Sequence, residues 1–264
     1  MDLLAGISAG TVTTLVMHPL DLAKVRMQVG RSRTLGQAVG ELLGHPRDAY
    51  RGIAPNLIGN AAGWGVYFYL YRQAKNALDA YGIQKTPLTL LSASFSTGVL
   101  TQTLTNPIWV VKTVMLASKR SDANAAQTSW SAARQIYKCD GPRGFFRGLI
   151  PGFGGTAQSA IHFVLYDLIK PHISTDLPDP VRYITSSFFS KSIAAVLMYP
   201  HQVLRAEMQF KRIGLVEAFR LVYQENGFKA FYRGLSANLL RVVPAVCLTM
   251  ATYETTLDLL GGNK

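Results

Sequence analysis

The sequence predicts an all-α membrane protein: six transmembrane helices in three tandem helix-hairpin repeats, each with a short amphipathic helix. Composition is one reason. Of 264 residues, 48% are hydrophobic and 16% charged, at mean hydropathy +0.15, which is too apolar for a typical soluble domain. Segment length is another. Residues 3–20, 52–71, 86–111 and 148–166 contain no Asp, Glu, Lys or Arg, while 183–199 and 235–253 carry one charge each, Lys191 and Arg241. Each is about as long as a helix that crosses a bilayer. The third reason is repetition. His18-Pro19-Leu20-Asp21-Leu22-Ala23-Lys24, Asn106-Pro107-Ile108-Trp109-Val110-Val111-Lys112 and Tyr199-Pro200-His201-Gln202-Val203-Leu204-Arg205 share one frame, with a base five residues after a proline.

In chain order, residues 1–80 form the first unit. Gly6-x-x-x-Gly10 in its first span is expected to allow close helix packing. Pro19 is expected to kink the helix, because its ring removes a backbone bond and crowds the preceding turn. His18, beside it, is read as structural. A basic linker follows, then the turn Tyr50-Arg51-Gly52, a second span and Tyr71-Arg72-x-x-Lys75. Residues 81–178 repeat this order through Pro107, Asp140-Gly141, Phe146-Arg147-Gly148 and Tyr166-Asp167-x-x-Lys170. Residues 179–264 repeat it through Pro200, Asn226-Gly227, Tyr232-Arg233-Gly234 and Tyr253-Glu254-x-x-Leu257. The linker helix is clearest at 215–224, where Leu215, Phe219 and Val222 fall on one face. The glycine after each aromatic-Arg pair suits a helix entry.

Charge assigns sides. The linkers 24–52, 112–147 and 205–233 hold 19 of the 27 Lys/Arg and 7 of the 15 acids, which accounts for the whole net charge of +12. They follow odd-numbered spans, so they share one face of the membrane, opposite both termini. A one-sided basic surface attracts anionic lipid head groups or anionic solutes rather than nucleic acid. Cys139 and Cys247 are too few for a disulfide framework or a metal cluster. No nucleophile elbow, metal-ligand spacing or phosphate loop after a strand is present, so an enzyme is not expected. The first residues lack a basic n-region and a cleavage site, and targeting is expected to be internal.

The intramembrane cations are the sharpest candidates for chemistry. A single Arg241, thirteen residues before Glu254, marks a functional site by default, and an anionic substrate would explain it. Lys191 is a second such residue, for substrate phosphate or for a helix crevice. Asn60, Trp64 and Tyr67 share a polar-aromatic face of the second span. Gly154, Gly155, Gln158 and His162 share one of the fourth, where small residues would let a planar ring approach the backbone. Ordinary packing or an interfacial belt explains any single aromatic equally well.

Taken together, the three proline-charge motifs and the three aromatic-basic-glycine turns resemble the mitochondrial carrier family, over the whole chain. The resemblance implies an inner-membrane solute carrier, with basic linkers toward the matrix and both termini toward the intermembrane space. It implies a matrix gate of inter-repeat ion pairs built from Asp21, Lys24, Gln28, Trp109, Lys112, Gln202, Arg205 and Gln209. Lys112 is the expected partner of Asp21. Trp109 and Gln202 stand at two acid places, which leaves Lys24 and Arg205 a cation–π face or a neutral acceptor. It implies an opposite gate built from Tyr71, Lys75, Tyr166, Asp167, Lys170, Tyr253 and Glu254. Arg72 and Leu257 depart from its pattern, so at most two bridges form there. The segment Asn106–Thr113 is similar to the second signature of carriers for FAD, folate, NAD and pyrimidine nucleotides. FAD is then the expected cargo rather than a cofactor, with folate the close rival and NAD or a pyrimidine nucleotide next. A non-transporting receptor or scaffold on the same fold is the other class. Cardiolipin at the matrix side, no metal and a monomeric state complete the expectation.

Overall fold

The computed structural model describes residues 2–84, 86–119, 122, 125–173 and 179–259. Among these, all regular structure is helical. Six long helices, α1 (Asp2–Gln28), α3 (Ile53–Ala80), α4 (Pro87–Ala117), α6 (Leu149–Ile169), α7 (Asp179–Lys211) and α9 (Leu235–Leu259), alternate with the short helices α2 (Leu35–Gly44), α5 (Ser129–Asp140) and α8 (Leu215–Asn226). The long helices do not stop at the motif prolines. Pro19, Pro107 and Pro200 all lie inside helices that continue beyond them, so the charges of each motif ride on the last turns of α1, α4 and α7.

Packing joins neighbouring thirds of the chain more extensively than it joins the two long helices of one third. α1 runs along α9, α3 along α4 and α6 along α7, while α1, α4 and α7 also touch one another. The point where these three meet is apolar: Val29, Ala117 and Ala206 are buried together, with Val25 and Phe210 against them. That cluster closes one end of the bundle.

The short helices lie outside it, each with one buried stripe: Ala38 and Leu42, Ala132 and Ile136, Ala218 and Val222. Phe219, expected on the inner face, is 48% exposed instead. It stands at the edge of the stripe, stacked on Tyr223 with ring centroids 6.3 Å apart.

Each aromatic-Arg-Gly turn ends in a glycine of positive φ that caps α3, α6 or α9: Gly52 (+74°), Gly148 (+71°) and Gly234 (+80°). The chain passes so close to the next odd helix that a side chain has no room. A Cβ on Gly234 would lie 2.9 Å from the Lys24 carbonyl, and one on Gly52 would lie 2.4 Å from Leu116 Cδ1. The residue before each motif proline holds the turn from within its own third. His18 Nε2 meets the Arg51 carbonyl at 2.9 Å, Asn106 Nδ2 donates to the Phe145 carbonyl at 2.8 Å, and Tyr199 stacks on Tyr232.

The Gly6-x-x-x-Gly10 expectation fails. Nothing lies within 4 Å of a Cβ built on either glycine, whereas Gly98 of α4 meets Thr156 of α6 at 2.8 Å. Close approach occurs between α4 and α6, not at the start of α1. Among the described residues, one stretch, Leu215–Tyr253, is long and apolar enough to cross a membrane on composition alone, at hydropathy 1.5. That stretch runs from α8 through the Gly234 turn into α9.

Candidate functional site

The residues two places after the motif prolines do not meet across the axis. Each reaches back to the second long helix (α3, α6 or α9) of the third before it, counted cyclically. Asp21 Oδ1 pairs with Arg241 Nε of α9 at 3.0 Å. The Trp109 ring lies against Gly59 of α3, 3.3 Å from a Cβ built there. Gln202 Nε2 donates to Gln158 Oε1 of α6 at 2.8 Å. Asp21 therefore has Arg241 where the sequence reading placed Lys112. Asn56 Nδ2 reaches the other carboxylate oxygen at 3.4 Å, and His18 Nδ1 lies 3.1 Å from the same Asn56 nitrogen.

The bases use neutral partners. Lys24 Nζ donates to Asn238 Oδ1 at 2.8 Å. Arg205 donates to Gln102 Oε1 at 3.3 Å and to Asn106 Oδ1 at 3.4 Å. Lys112 sits 4.8 Å from the Trp109 ring centroid, so the tryptophan's cation–π face serves Lys112. The two glutamines tie the layer down: Gln28 Nε2 donates to the Tyr199 hydroxyl at 3.2 Å and Gln209 Nε2 to the Arg147 carbonyl at 3.3 Å. Lys24, Lys112 and Arg241 lie within electrostatic reach of one another and of Asp21, and Arg205 lies within reach of Lys24 and Lys112. One carboxylate stands among four cations, which leaves the layer attractive to an added anion.

Beside this layer, α3, α4 and α6 line an open cavity of about 900 Å³, with Asn60, Trp64, Tyr67, Phe95, Gly155 and Phe163 among its walls. That lies near the top of the ~300–1,000 Å³ range of small-molecule pockets. Trp109 and Gln102 line its inner end, which brings the cavity onto Lys112 through the indole and onto Arg205 through the amide. Tyr67 OH is fixed to Ser94 Oγ at 2.6 Å, and Trp64 is 64% exposed.

The face named on α6 divides. Gly155 opens onto the cavity, but Gly154 does not. His201 of α7 fills the space beside it, with Cγ 2.6 Å from a Cβ built on Gly154. The ring that approaches this glycine belongs to the protein. His162 and Lys191 face each other electrostatically between α6 and α7, Lys191 also feeling Arg241, and neither lines the cavity of α3, α4 and α6.

At the opposite end of the bundle, Lys75 lies 5.2 Å from the Tyr71 ring, and Lys170 lies 5.8 Å from Tyr166 and 4.9 Å from Tyr183. Asp167 is exposed and Tyr253 half-buried. The described ion pairs include none among Lys75, Asp167 and Lys170. The side chain of Glu254 lies outside the described residues.

The model of the mitochondrial carrier protein family matches residues 1–82, 84–177 and 178–264, three times in succession. The chain belongs to the mitochondrial carrier family. It is 32% identical to the mitochondrial FAD carrier protein of Saccharomyces cerevisiae, over 96% of this chain and 94% of that one. It is 36% identical to an uncharacterized mitochondrial carrier of Schizosaccharomyces pombe, over 95% and 94%. Solute carrier family 25 member 36 of Mus musculus is 30% identical over 99% and 98%. Family membership makes this a transmembrane transport protein.

Several carrier residues here were not singled out from sequence. Asn238, Gln102 and Asn56 accept from or support the charged layer, and His201 fills the Gly154 notch. Asn238 lies three residues before Arg241, Gln102 five before Pro107 and His201 directly after Pro200, whereas Asn56 carries no such mark in the sequence. Arg26 and Glu207 share one place, seven residues after a proline, with opposite charge. Arg26 is buried against Asp48 at 3.2 Å, and Glu207 is buried against Arg233 at 2.6 Å and Lys211 at 3.1 Å.

Proposed function

We propose that this carrier moves FAD across the mitochondrial inner membrane by alternating access. The observation that carries the reading is the four-cation, one-carboxylate layer at the inner end of an aromatic-lined cavity. A dinucleotide offers what such a site selects: phosphates for Lys112, Arg205 and Arg241, and flat rings for Trp64, Tyr67 and Trp109. The FAD carrier among the relatives supports the same cargo. FAD is here a substrate and no resident cofactor is needed.

In this reading the six long helices span the membrane as three units, 1–80, 81–178 and 179–264, around a pseudo-threefold axis. The termini face the intermembrane space. The layer from Asp21 to Gln209 is the matrix gate, closed in this conformation over the Val29, Ala117 and Ala206 cluster. Tyr71, Lys75, Tyr166, Asp167, Lys170, Tyr253 and Glu254 make the other gate, which is open. The carrier acts as a monomer, with cardiolipin at the basic matrix face.

A thermal-shift screen of the purified protein against FAD, folate, NAD and pyrimidine nucleotides tests the cargo, because a ligand of the folded state raises its melting temperature. FAD should give the largest rise. A rise with folate or NAD and none with FAD would replace the cargo and leave the carrier reading in place.

A further inference from the structure

We infer that Asp21 is a built-in competitor for the anion site, holding the Arg241 guanidinium until a substrate phosphate takes its place. The inference rests on the transport reading for what that anion is. Asp21 is 5% exposed, whereas the Arg241 side chain is 34% exposed. One partner is thus sealed into the layer, and the other is only half-buried. Their contact spans two elements that belong to different functions, the gate on α1 and the anion hook on α9. Asp21 also supplies the only acid at the third place of the three motifs, since Trp109 and Gln202 fill the others.

The consequence is an exchange of anions. A phosphate that bonds Arg241 leaves the Asp21 carboxylate without its nearest cation, and Lys112 and Lys24 are the next cations in its field. Neither pairs with it in this conformation. Lys24 stands one turn away on α1 and Lys112 lies across the seam on α4, so the freed carboxylate turns to them and the contact that ties α1 to α9 is lost. A substrate biases a two-state carrier only by binding one state better than the other. Displacing an internal carboxylate supplies that difference. It also explains how one acid suffices, because the latch is released by competition rather than by breaking a ring of bridges.

The test measures anion binding by thermal shift on the full-length protein, with inorganic pyrophosphate and with FAD as separate probes. In Asp21→Asn the half-saturating concentration of pyrophosphate should fall by about ten-fold, the scale of one close charge pair removed. Asp21→Ser, uncharged and smaller, should give the same shift, and Arg241→Gln should abolish the response in either background. A role confined to structure would lower the ligand-free melting temperature and leave the half-saturating concentration unchanged, and that result overturns the inference. So does a shift in the Asn variant that the Ser variant lacks, since size would then be the cause. If pyrophosphate follows the prediction and FAD gives no response, the cargo assignment falls and the exchange stands. If wild-type protein responds to FAD but neither probe's midpoint moves in the variants, the exchange falls and the cargo stands.

Discussion

Adjacent glycines on α6 have opposite surroundings. A Cβ on Gly154 would lie 2.6 Å from Cγ of His201, at the stiff base of that ring, while one on Gly155 meets nothing within 4 Å. The imidazole cannot simply swing away, because its Nδ1 is hydrogen-bonded to the Met198 carbonyl. Gly154→Ala should therefore destabilise by about 1–3 kcal/mol, the usual cost of overpacking, read as a lower melting temperature. His201→Ala in the same chain should restore most of it. Gly155→Ala should leave stability equal or higher, since alanine favours a helix by ~1 kcal/mol over glycine, and reduce FAD uptake by narrowing the cavity. Equal losses from both substitutions would show that His201 does not fill the notch. None of this was legible in the sequence, where the two glycines read alike; the difference arises from a residue 47 positions away on another helix.

At the scale of elements, the turn that starts each even helix combines a left-handed glycine with contact to the next odd helix. Gly234→Ala meets both costs at once, a φ of +80° and the Lys24 carbonyl at 2.9 Å. A loss of roughly 2–4 kcal/mol is expected, enough to lower the melting temperature by several degrees. The arginine of each turn is anchored by its neighbours. The later copies anchor their arginine on an acid, Arg147 on Asp140 at 2.8 Å and Arg233 on Glu225. In the first copy Arg51 also donates across the seam, to the Met115 carbonyl at 2.9 Å and Ser118 Oγ at 3.1 Å at the end of α4. Arg51→Lys cannot reproduce that fork, and should cost about 1–3 kcal/mol by leaving buried acceptors unpaired. Prolines, turns and short helices were legible because each is written within a few residues. Pairings across the seams were not. The step from Asp21 to Arg241 covers 220 positions, and motif symmetry pointed to the other odd helices instead of to the preceding even one.

For the molecule as a whole, ion pairs tie the seams between thirds. On the basic side, Arg31 bridges Asp122 at 2.8 Å and Lys119 bridges Glu41 at 2.9 Å, both joining the first third to the second. Burial raises the Asp122 carboxyl, but the Arg31 guanidinium and the Lys119 N–H outweigh it and hold it below its ordinary value of 3.8. The sign follows: a lowered carboxyl contributes stability above its unfolded value and loses it as the pH falls through the folded one. Asp122→Asn should lower the melting temperature slightly at neutral pH and not at all at the acid end, a small effect because the pair is partly solvated.

Uptake into liposomes containing the purified protein tests the proposed carriage of FAD, by a cationic layer beside an aromatic cavity, most directly. Labelled FAD should enter saturably, unlabelled FAD should compete, and Arg241→Gln should reduce the rate at least about a hundred-fold, as loss of a charged anchor for a buried anion implies. Uptake of folate, NAD or a pyrimidine nucleotide with no uptake of FAD, or FAD uptake indifferent to Arg241, would contradict it.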